Sequence, residues 1–262
     1  MKQVKWFVVM FVLLTARCDI YAQTDWSRLI SGALKVGQAM MMDDDDLAEM
    51  VREQVVEMDK ENIVCDDNSK YVRRLDKITE GMDDADGIPL NFKVYKKKEY
   101  NAFACPDGSV RVFSALMDIL DDNELLGVIG HEIGHVALRH SKKEWQKALL
   151  RSAASDAIGS KSSTWASLSD SFLGDLTSMV ISAKYSRTCE TEADDYGYNF
   201  LKENGRNPWA MGLAFKKLKA LSEKSNSSKY KVLLNAFSSH PDFDERIKNI
   251  RERAKEDGFP CD

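Results

Sequence analysis

Two of the four histidines stand four residues apart with a glutamate beside the first, in the order His131, Glu132, His135. The apolar residues around them have helical spacing, and Asp121 to Glu124 supply a capping, acidic helix start. Residues four apart share one face of a helix, so both imidazoles can bind one Zn²⁺. Glu132 then lies beside the ion, where it can take a proton from an attacking water. The motif predicts metal-assisted hydrolysis.

A third ligand must come from another segment, because catalytic zinc usually has three protein ligands and one open position. The best candidate is the acidic run from Glu190 to Asp194, which also has helical spacing. Glu190 and Asp194 are four apart and share a face, whereas Glu192 points the opposite way. One of the pair can ligate zinc and the other can orient a ligating histidine. Periodicity does not decide which does which.

The predicted helix that carries His131 and His135, here called the metal helix, has two further features. His140 is nine residues beyond His131, which in a continuous helix is about 180° away, so we do not expect it near the metal. Gly127, Gly130 and Gly134 lie along one stripe. Each costs roughly 1 kcal/mol relative to alanine in a helix interior. We therefore expect a neighbouring element to pack closely against this stripe.

Composition places the chain among ordinary globular proteins. Of 262 residues, 44% are hydrophobic and 30% are charged, which is ordinary for a globular protein. The length favours a single domain. The formal net charge of −5, with no basic stripe, argues against nucleic acid as a partner.

The N-terminus predicts export. Lys2 and Lys5 precede a short apolar run, and a cleavage site fits after Ala22, which is the layout of a signal peptide over residues 1–22. The run is too short for a membrane span, so we expect a cleaved signal and not a membrane anchor. The remaining domain, 23–262, is then expected to have no integral span. A minority alternative is a lipoprotein anchored through Cys18, which the large, charged Arg17 disfavours. The four other cysteines permit disulfides or free thiols.

The order of predicted elements indicates an α+β fold. Residues 25–60 and 69–80 have helical patterns, with a break at 40–42, and residues 83–89 read as a loop. Three strand-like segments follow at 91–95, 100–104 and 110–113, the last two joined as a hairpin by the turn residues 106–108. From Ser114 onward the pattern is mostly helical, with a break at residues 207–208 and a loop at 238–244. A small sheet followed by many helices is expected.

Several of these motifs, in this order, resemble one family, the HtpX and CAAX-prenyl-protease family of gluzincin metallopeptidases. Within it, the chain resembles a group of small exported bacterial peptidases, the LoiP (YggG) group. The resemblance runs from about Cys65 to Arg251. It is carried by the metal-helix motif together with residues 101–104, 108–112, 122–125, 190–195, His240-Pro241 and Arg246.

The resemblance implies a role for each of these segments in a zincin-like fold with one zinc ion per chain. Glu190 becomes the third ligand, and Asp194 supports a ligand by hydrogen bonding. His240 approaches the metal, where it either helps to stabilise the tetrahedral intermediate or blocks the open position at rest, and Arg246 belongs to the surroundings of the ligands. The edge strand beside the cleft, to which a peptide substrate can add, carries Asn101, Ala102 and Phe103.

The sequence therefore predicts a zinc-dependent endopeptidase that acts on unfolded or damaged cell-envelope proteins in periplasmic quality control. The internal membrane helices of other branches of the family are missing, so membrane-embedded or prenylated substrates are not expected. The alternative is a binding or chaperone-like envelope protein with a structural or silent zinc site. Structural zinc sites are usually closed and rich in cysteine. Here Cys189 is next to Glu190, and neighbouring residues do not readily share one face of a helix, which weighs against that alternative.

Overall fold

The computed structural model describes residues 43–140, 142–144, 146–147, 185–223, 240 and 242–262. The predicted signal segment, Cys18 and the break at 40–42 lie outside these residues. The described chain is mainly helical with two small sheets, which confirms the α+β class. Its helices are α1 (Asp44–Glu61), α2 (Lys70–Ile78), α3 (Ser114–Ile119), α4 (Asp122–Ala137), α5 (Arg187–Glu203), α6 (Trp209–Glu223) and α7 (Phe243–Glu256), and its strands are β1 (Asp84–Ala85), β2 (Ile88–Pro89), β3 (Asn91–Tyr95), β4 (Ala102–Ala104) and β5 (Ser109–Phe113).

The larger sheet has the order β3-β5-β4, so β4 is an edge strand. Strand β3 runs parallel to β5, with Asn91 opposite Ser109, and β4 runs antiparallel to β5, with Ala102 opposite Val112. The predicted hairpin between the last two strands is confirmed. Its turn needs Gly108, whose φ is +82° and whose Cβ, if present, would lie 2.0 Å from the Pro89 carbonyl oxygen.

Residues 83–89, predicted as a loop, instead contain a second, two-stranded sheet. Strands β1 and β2 pair antiparallel across the dipeptide Asp86-Gly87. Both turn residues have positive φ, 52° and 78°, which is the requirement of the tight turn that joins two twisted strands. The loop prediction was wrong because strands of two residues are too short to leave a periodic pattern in the sequence.

Helix α4 is the central element of the fold. Its start has the predicted capping arrangement: Asp121 accepts hydrogen bonds from the backbone N–H groups of Asn123 and Glu124, and the Glu124 carboxylate accepts one from the backbone of Asp121. Every residue from Glu124 to Ala137 is buried. A helix that is buried on all sides must be covered by several neighbours, and here these are α5, α6 and the edge strand β4.

Helices α5 and α6 approach α4 closely along its glycine stripe. A Cβ at Gly127 would lie 2.9 Å from Met211 Cα in α6, and a Cβ at Gly130 would lie 2.6 Å from the Phe200 ring in α5. A Cβ at Gly134 would lie 3.1 Å from the Ala193 carbonyl oxygen. The prediction of tight packing along this stripe is confirmed, and its effect is to seat α5 directly against the histidine-bearing helix.

Helix α1 is tied to the larger sheet by an ion pair between a buried arginine and a half-buried aspartate. Arg111 on β5 is 1% exposed, and its Nε and Nη2 donate to the two carboxylate oxygens of Asp59 at 2.9 and 3.1 Å. Tyr95 and Lys93 on β3 contact the same carboxylate. Burial by itself raises the pKa of Asp59, but these donors outweigh burial and lower it, so Asp59 stays ionised.

Two further properties concern only the described residues. The four cysteines among them, Cys65, Cys105, Cys189 and Cys261, are free thiols. None of the described helices combines the length and the apolar character that crossing a membrane requires.

Candidate metal centre

Three side chains predicted as metal ligands converge at the contact between α4 and α5. The Nε2 atoms of His131 and His135 lie 3.1 Å apart on one face of α4. Glu190, in the first turn of α5, places Oε2 3.6 Å from His131 Nε2 and Oε1 3.6 Å from His135 Nε2. All three side chains are buried. Residues from two helices far apart in sequence thus present one oxygen-bearing and two nitrogen-bearing groups to a single point.

This donor set fits a small divalent ion. Two atoms bound to one tetrahedral ion at about 2.0–2.1 Å lie roughly 3.3 Å from each other, close to the observed separations. Glu190 Oε2 has no hydrogen-bond partner among the described residues, because Arg246 Nη1, although 2.6 Å away, lacks hydrogen-bond geometry. Burial and neighbouring cationic groups hold the pKa of His135 well below its usual value, which keeps the imidazole neutral and able to ligate.

His240, which precedes α7, also reaches this point. Its Nδ1 lies 3.3 Å from His131 Nε2 and 2.9 Å from Glu190 Oε1. The ligating atoms of the four residues all lie within 4.8 Å of one another. Burial lowers the pKa of His240, but the carboxylates of Glu132 and Glu190 outweigh burial and raise it. The structure therefore brings four groups of ligand type together, one more than the three that the spacing of the chain suggested.

Glu132 lies beside this cluster and outside the set of ligands. Its Oε1 is 3.6 Å from His240 Nε2, and the side chain is buried. Burial raises the pKa of the Glu132 carboxyl. Glu132 is therefore a buried carboxyl group with a raised pKa next to the candidate metal position.

Asp194 and Arg246 surround the ligands on the α5–α7 side. Asp194 Oδ1 is 2.9 Å from His131 Nδ1, and Arg246 donates to both Asp194 oxygens, from Nε at 2.7 Å and from Nη2 at 2.6 Å. Burial raises the pKa of Asp194, but Arg246 outweighs burial and lowers it to about 2. The Arg246 guanidinium also lies 4.4 Å over the ring of Phe215. A permanently ionised Asp194 can accept a hydrogen bond from His131 and fix its ring.

The prediction that His140 lies far from the metal position was wrong. Helix α4 ends at Ala137, and Arg139 adopts the left-handed conformation with φ 58°. Arithmetic for a continuous helix does not apply beyond that point, and the chain turns His140 back toward His135. The two Nδ1 atoms are 3.1 Å apart, and His140 Nε2 is 2.9 Å from Glu192 Oε2. Tyr185, which no motif singled out, stacks on His135 with 3.9 Å between ring centroids.

The segment predicted as a substrate-binding edge is also placed next to α4. Strand β4 contains Ala102 and Phe103, and Asn101 immediately precedes it. All three residues are buried, and β4 packs against the helix that carries the two histidines. The backbone carbonyl of Asn101 accepts a hydrogen bond from Phe113 on β5.

Comparison with known proteins identifies the family. The family model described as Peptidase family M48 matches residues 69–254. The chain belongs to peptidase family M48. This M48 chain is 38% identical over 236 residues to Metalloprotease LoiP of Escherichia coli, covering 90% of this chain and 91% of LoiP. It is 40% identical over 230 residues to Metalloprotease YcaL of the same organism, covering 87% and 88%.

A larger relative is matched over about a third of its own length. The Beta-barrel assembly-enhancing protease of Escherichia coli is 30% identical over 179 residues, which is 64% of this M48 chain and 35% of the relative. Family membership and the relatives together make the M48 chain a metalloendopeptidase, as the sequence predicted, and they do not favour the non-catalytic alternative.

Proposed function

We propose that this M48 peptidase binds one Zn²⁺ through His131, His135 and Glu190 and hydrolyses peptide bonds of unfolded or damaged cell-envelope proteins. The observation that carries the proposal is the convergence of the three buried side chains, with Glu132 next to them. Imidazole nitrogen suits zinc, and two histidines with one glutamate are a ligand set of catalytic zinc sites that keep one position open.

Glu132 is the proposed general base. When bound, the ion polarises the scissile carbonyl and makes water acidic enough to attack at neutral pH. Glu132 accepts the proton of the attacking water and later passes it to the leaving amine. The raised pKa of this buried carboxyl supports both steps, because a group that must take and return a proton works best with a pKa near the ambient pH.

His240 is proposed to fill the fourth position at rest, which requires its ring to lose a proton when the ion binds. Its Nδ1 lies within 3.3 Å of His131 Nε2, a separation that suits two ligands of one ion. Water and substrate need that position, so His240 must withdraw during turnover. A withdrawn His240 ring would offer an N–H donor to the negative charge that develops on the substrate oxygen.

Asp194 and Arg246 are proposed to hold the ligands in place. Asp194 accepts a hydrogen bond from His131 Nδ1, which leaves Nε2 free for the ion. Arg246 compensates the charge of both Asp194 and Glu190, the latter at 2.6 Å.

An extended substrate is proposed to add to the free edge of β4, beside Asn101, Ala102 and Phe103. The position of β4 at the edge of the sheet and against α4 supports this mode, in which backbone hydrogen bonds bind a peptide with little regard to its side chains. Such binding suits unfolded chains. The predicted signal segment, and a relative named for enhancing β-barrel assembly, support an envelope location and envelope proteins as substrates.

The test is Glu132→Gln in the purified protein, with zinc content, circular dichroism and casein cleavage measured together. We expect the variant to keep zinc and fold and to lose about 10²–10⁴-fold in cleavage rate, the contribution of a general base. Glu80→Gln, at an exposed position, is the matched control and should cleave like the wild type. Cleavage that survives in Glu132→Gln, or that a chelator does not abolish in the wild type, contradicts the proposal.

A further inference from the structure

We propose that His140 and Glu192 are a positioning pair for His135, acting through its Nδ1 atom on the side away from the metal. The inference rests on the proposed role of His135 as a ligand. Two contacts carry it: His135 Nδ1 to His140 Nδ1 at 3.1 Å, and His140 Nε2 to Glu192 Oε2 at 2.9 Å. His140 is buried, whereas Glu192 is half exposed at the surface.

The three side chains admit one consistent arrangement of protons. A histidine that ligates through Nε2 carries its proton on Nδ1 and donates it to a neighbour. His140 must therefore accept through Nδ1, and a neutral imidazole that accepts through one nitrogen is protonated on the other. His140 Nε2 then donates to the Glu192 carboxylate. Every donor in the series has an acceptor, and the proton of His135 is held on the atom that leaves Nε2 free for the ion.

Helix α5 would thus support both histidines of α4. Asp194 contacts His131 Nδ1 directly at 2.9 Å, and Glu192 reaches His135 Nδ1 through His140. The left-handed Arg139 makes this second connection, because it turns the chain back at the end of α4 and directs the His140 ring toward His135. The ring of Tyr185, stacked on His135, restricts the same imidazole from its face.

The same corner has a competing interpretation as a second metal site. Ligand atoms of His140, Cys189 and Glu192 also lie within 4.8 Å of one another. An ion on His140 Nε2 would move the proton of that ring to Nδ1, where it would face the N–H of His135 at 3.1 Å. Two donors facing each other repel, so an ion there would weaken binding at the first site. The hydrogen-bonded arrangement has no such conflict, and we favour it.

The test is the zinc affinity of the full-length protein, measured by competition with a chromophoric chelator, for a series of variants. His140→Leu removes the acceptor and should weaken zinc binding about 10–100-fold, the usual effect of losing such a partner. His140→Asn keeps an oxygen acceptor near the position of Nδ1 and should recover most of the affinity. Glu192→Ala, at a half-exposed position, should fold normally and bind zinc several-fold more weakly. The visible absorption of the Co²⁺ form should change in His140→Leu and return toward the wild type in His140→Asn.

The outcomes separate this inference from the proposed function. If the wild type and His135→Ala bind zinc equally, the proposed function fails. If His135→Ala loses zinc while His140→Leu and Glu192→Ala bind like the wild type, the positioning pair is refuted. A second equivalent of zinc that disappears in Cys189→Ser also refutes it, in favour of the second metal site. Should His140→Leu not fold, the comparison of His140→Asn, Glu192→Ala and the wild type decides.

Discussion

Arg246→Met is the substitution for which the structure gives the sharpest expectation. The guanidinium is buried, donates to both oxygens of Asp194 and lies 2.6 Å from Glu190 Oε2. Methionine fills much of the same volume but leaves two buried carboxylates without their cation. Removing one partner of a buried ion pair costs about 3–5 kcal/mol, because the remaining charge stays buried without compensation.

The pH dependence gives this prediction a second, independent magnitude. In the wild type the pKa of Asp194 is about 2, against an ordinary value of 3.8. The stabilisation from this group is therefore complete above about pH 4 and is lost as the pH falls toward 2, and it amounts to ~2 kcal/mol. In Arg246→Met the guanidinium no longer opposes the effect of burial, so the pKa of Asp194 rises even though His131 still lowers it. The stabilisation that the variant lacks is largest at neutral pH, and the deficit in its free energy of unfolding should narrow as the pH falls below about 4.

The assay is urea unfolding of the metal-free proteins at pH 7 and at about pH 3, which lies between the two pKa values of Asp194. Arg253→Met is the matched control, because Arg253 joins the same two helices through Asp195 at the surface, where an ion pair contributes about 1 kcal/mol or less. A deficit for Arg246→Met that is no larger than that of Arg253→Met, or that is the same at both pH values, would refute the account of Arg246 as the compensating charge.

Two further predictions concern the scaffold and are measured by the same unfolding assay. Asp59→Ala should lower the free energy of unfolding by about 3–5 kcal/mol, because it leaves the buried Arg111 without its carboxylate partner. Adding Arg111→Met should restore part of that loss. A double variant that is no more stable than Asp59→Ala contradicts this. Gly127→Ala should lower the free energy of unfolding by about 1–3 kcal/mol despite the better helix propensity of alanine, because the new Cβ would lie 2.9 Å from the backbone Cα of Met211. Gly130→Ala should cost less, since its Cβ meets the Phe200 ring, which can rotate; equal losses at the two glycines would contradict that distinction.

The parts of the fold that follow from local rules could be predicted from the sequence. The capped start of α4, the face shared by His131 and His135, and the hairpin closed at Gly108 each depend on residues within about one or two turns of chain. The glycine stripe also predicted a closely packed neighbour, because three glycines lower the stability of a helix unless close packing compensates for them.

Features that depend on tertiary contacts could not be derived from periodicity. Whether Glu190 or Asp194 faces the metal position depends on how α5 crosses α4. The spacing of residues within α5 carries no information about that crossing, and only the family resemblance distinguished the two. The convergence of His240 with residues more than a hundred positions earlier is of the same kind. His140 was misplaced for a local reason, since a single left-handed residue, Arg139, ends the helix on which its position was calculated.

The candidate ligands join α4, α5 and the segment before α7, so an ion bound there would link these parts of the chain in addition to their packing and the ion pairs of Arg246. An ion that binds only the folded form adds ~4 kcal/mol of stability when its free concentration is a thousand times its dissociation constant. Metal supply would then govern how long each molecule survives as well as how fast it works. A molecule without its ion would unfold more often, and its unfolded chain would be the kind of substrate that the zinc-loaded molecules are proposed to cleave.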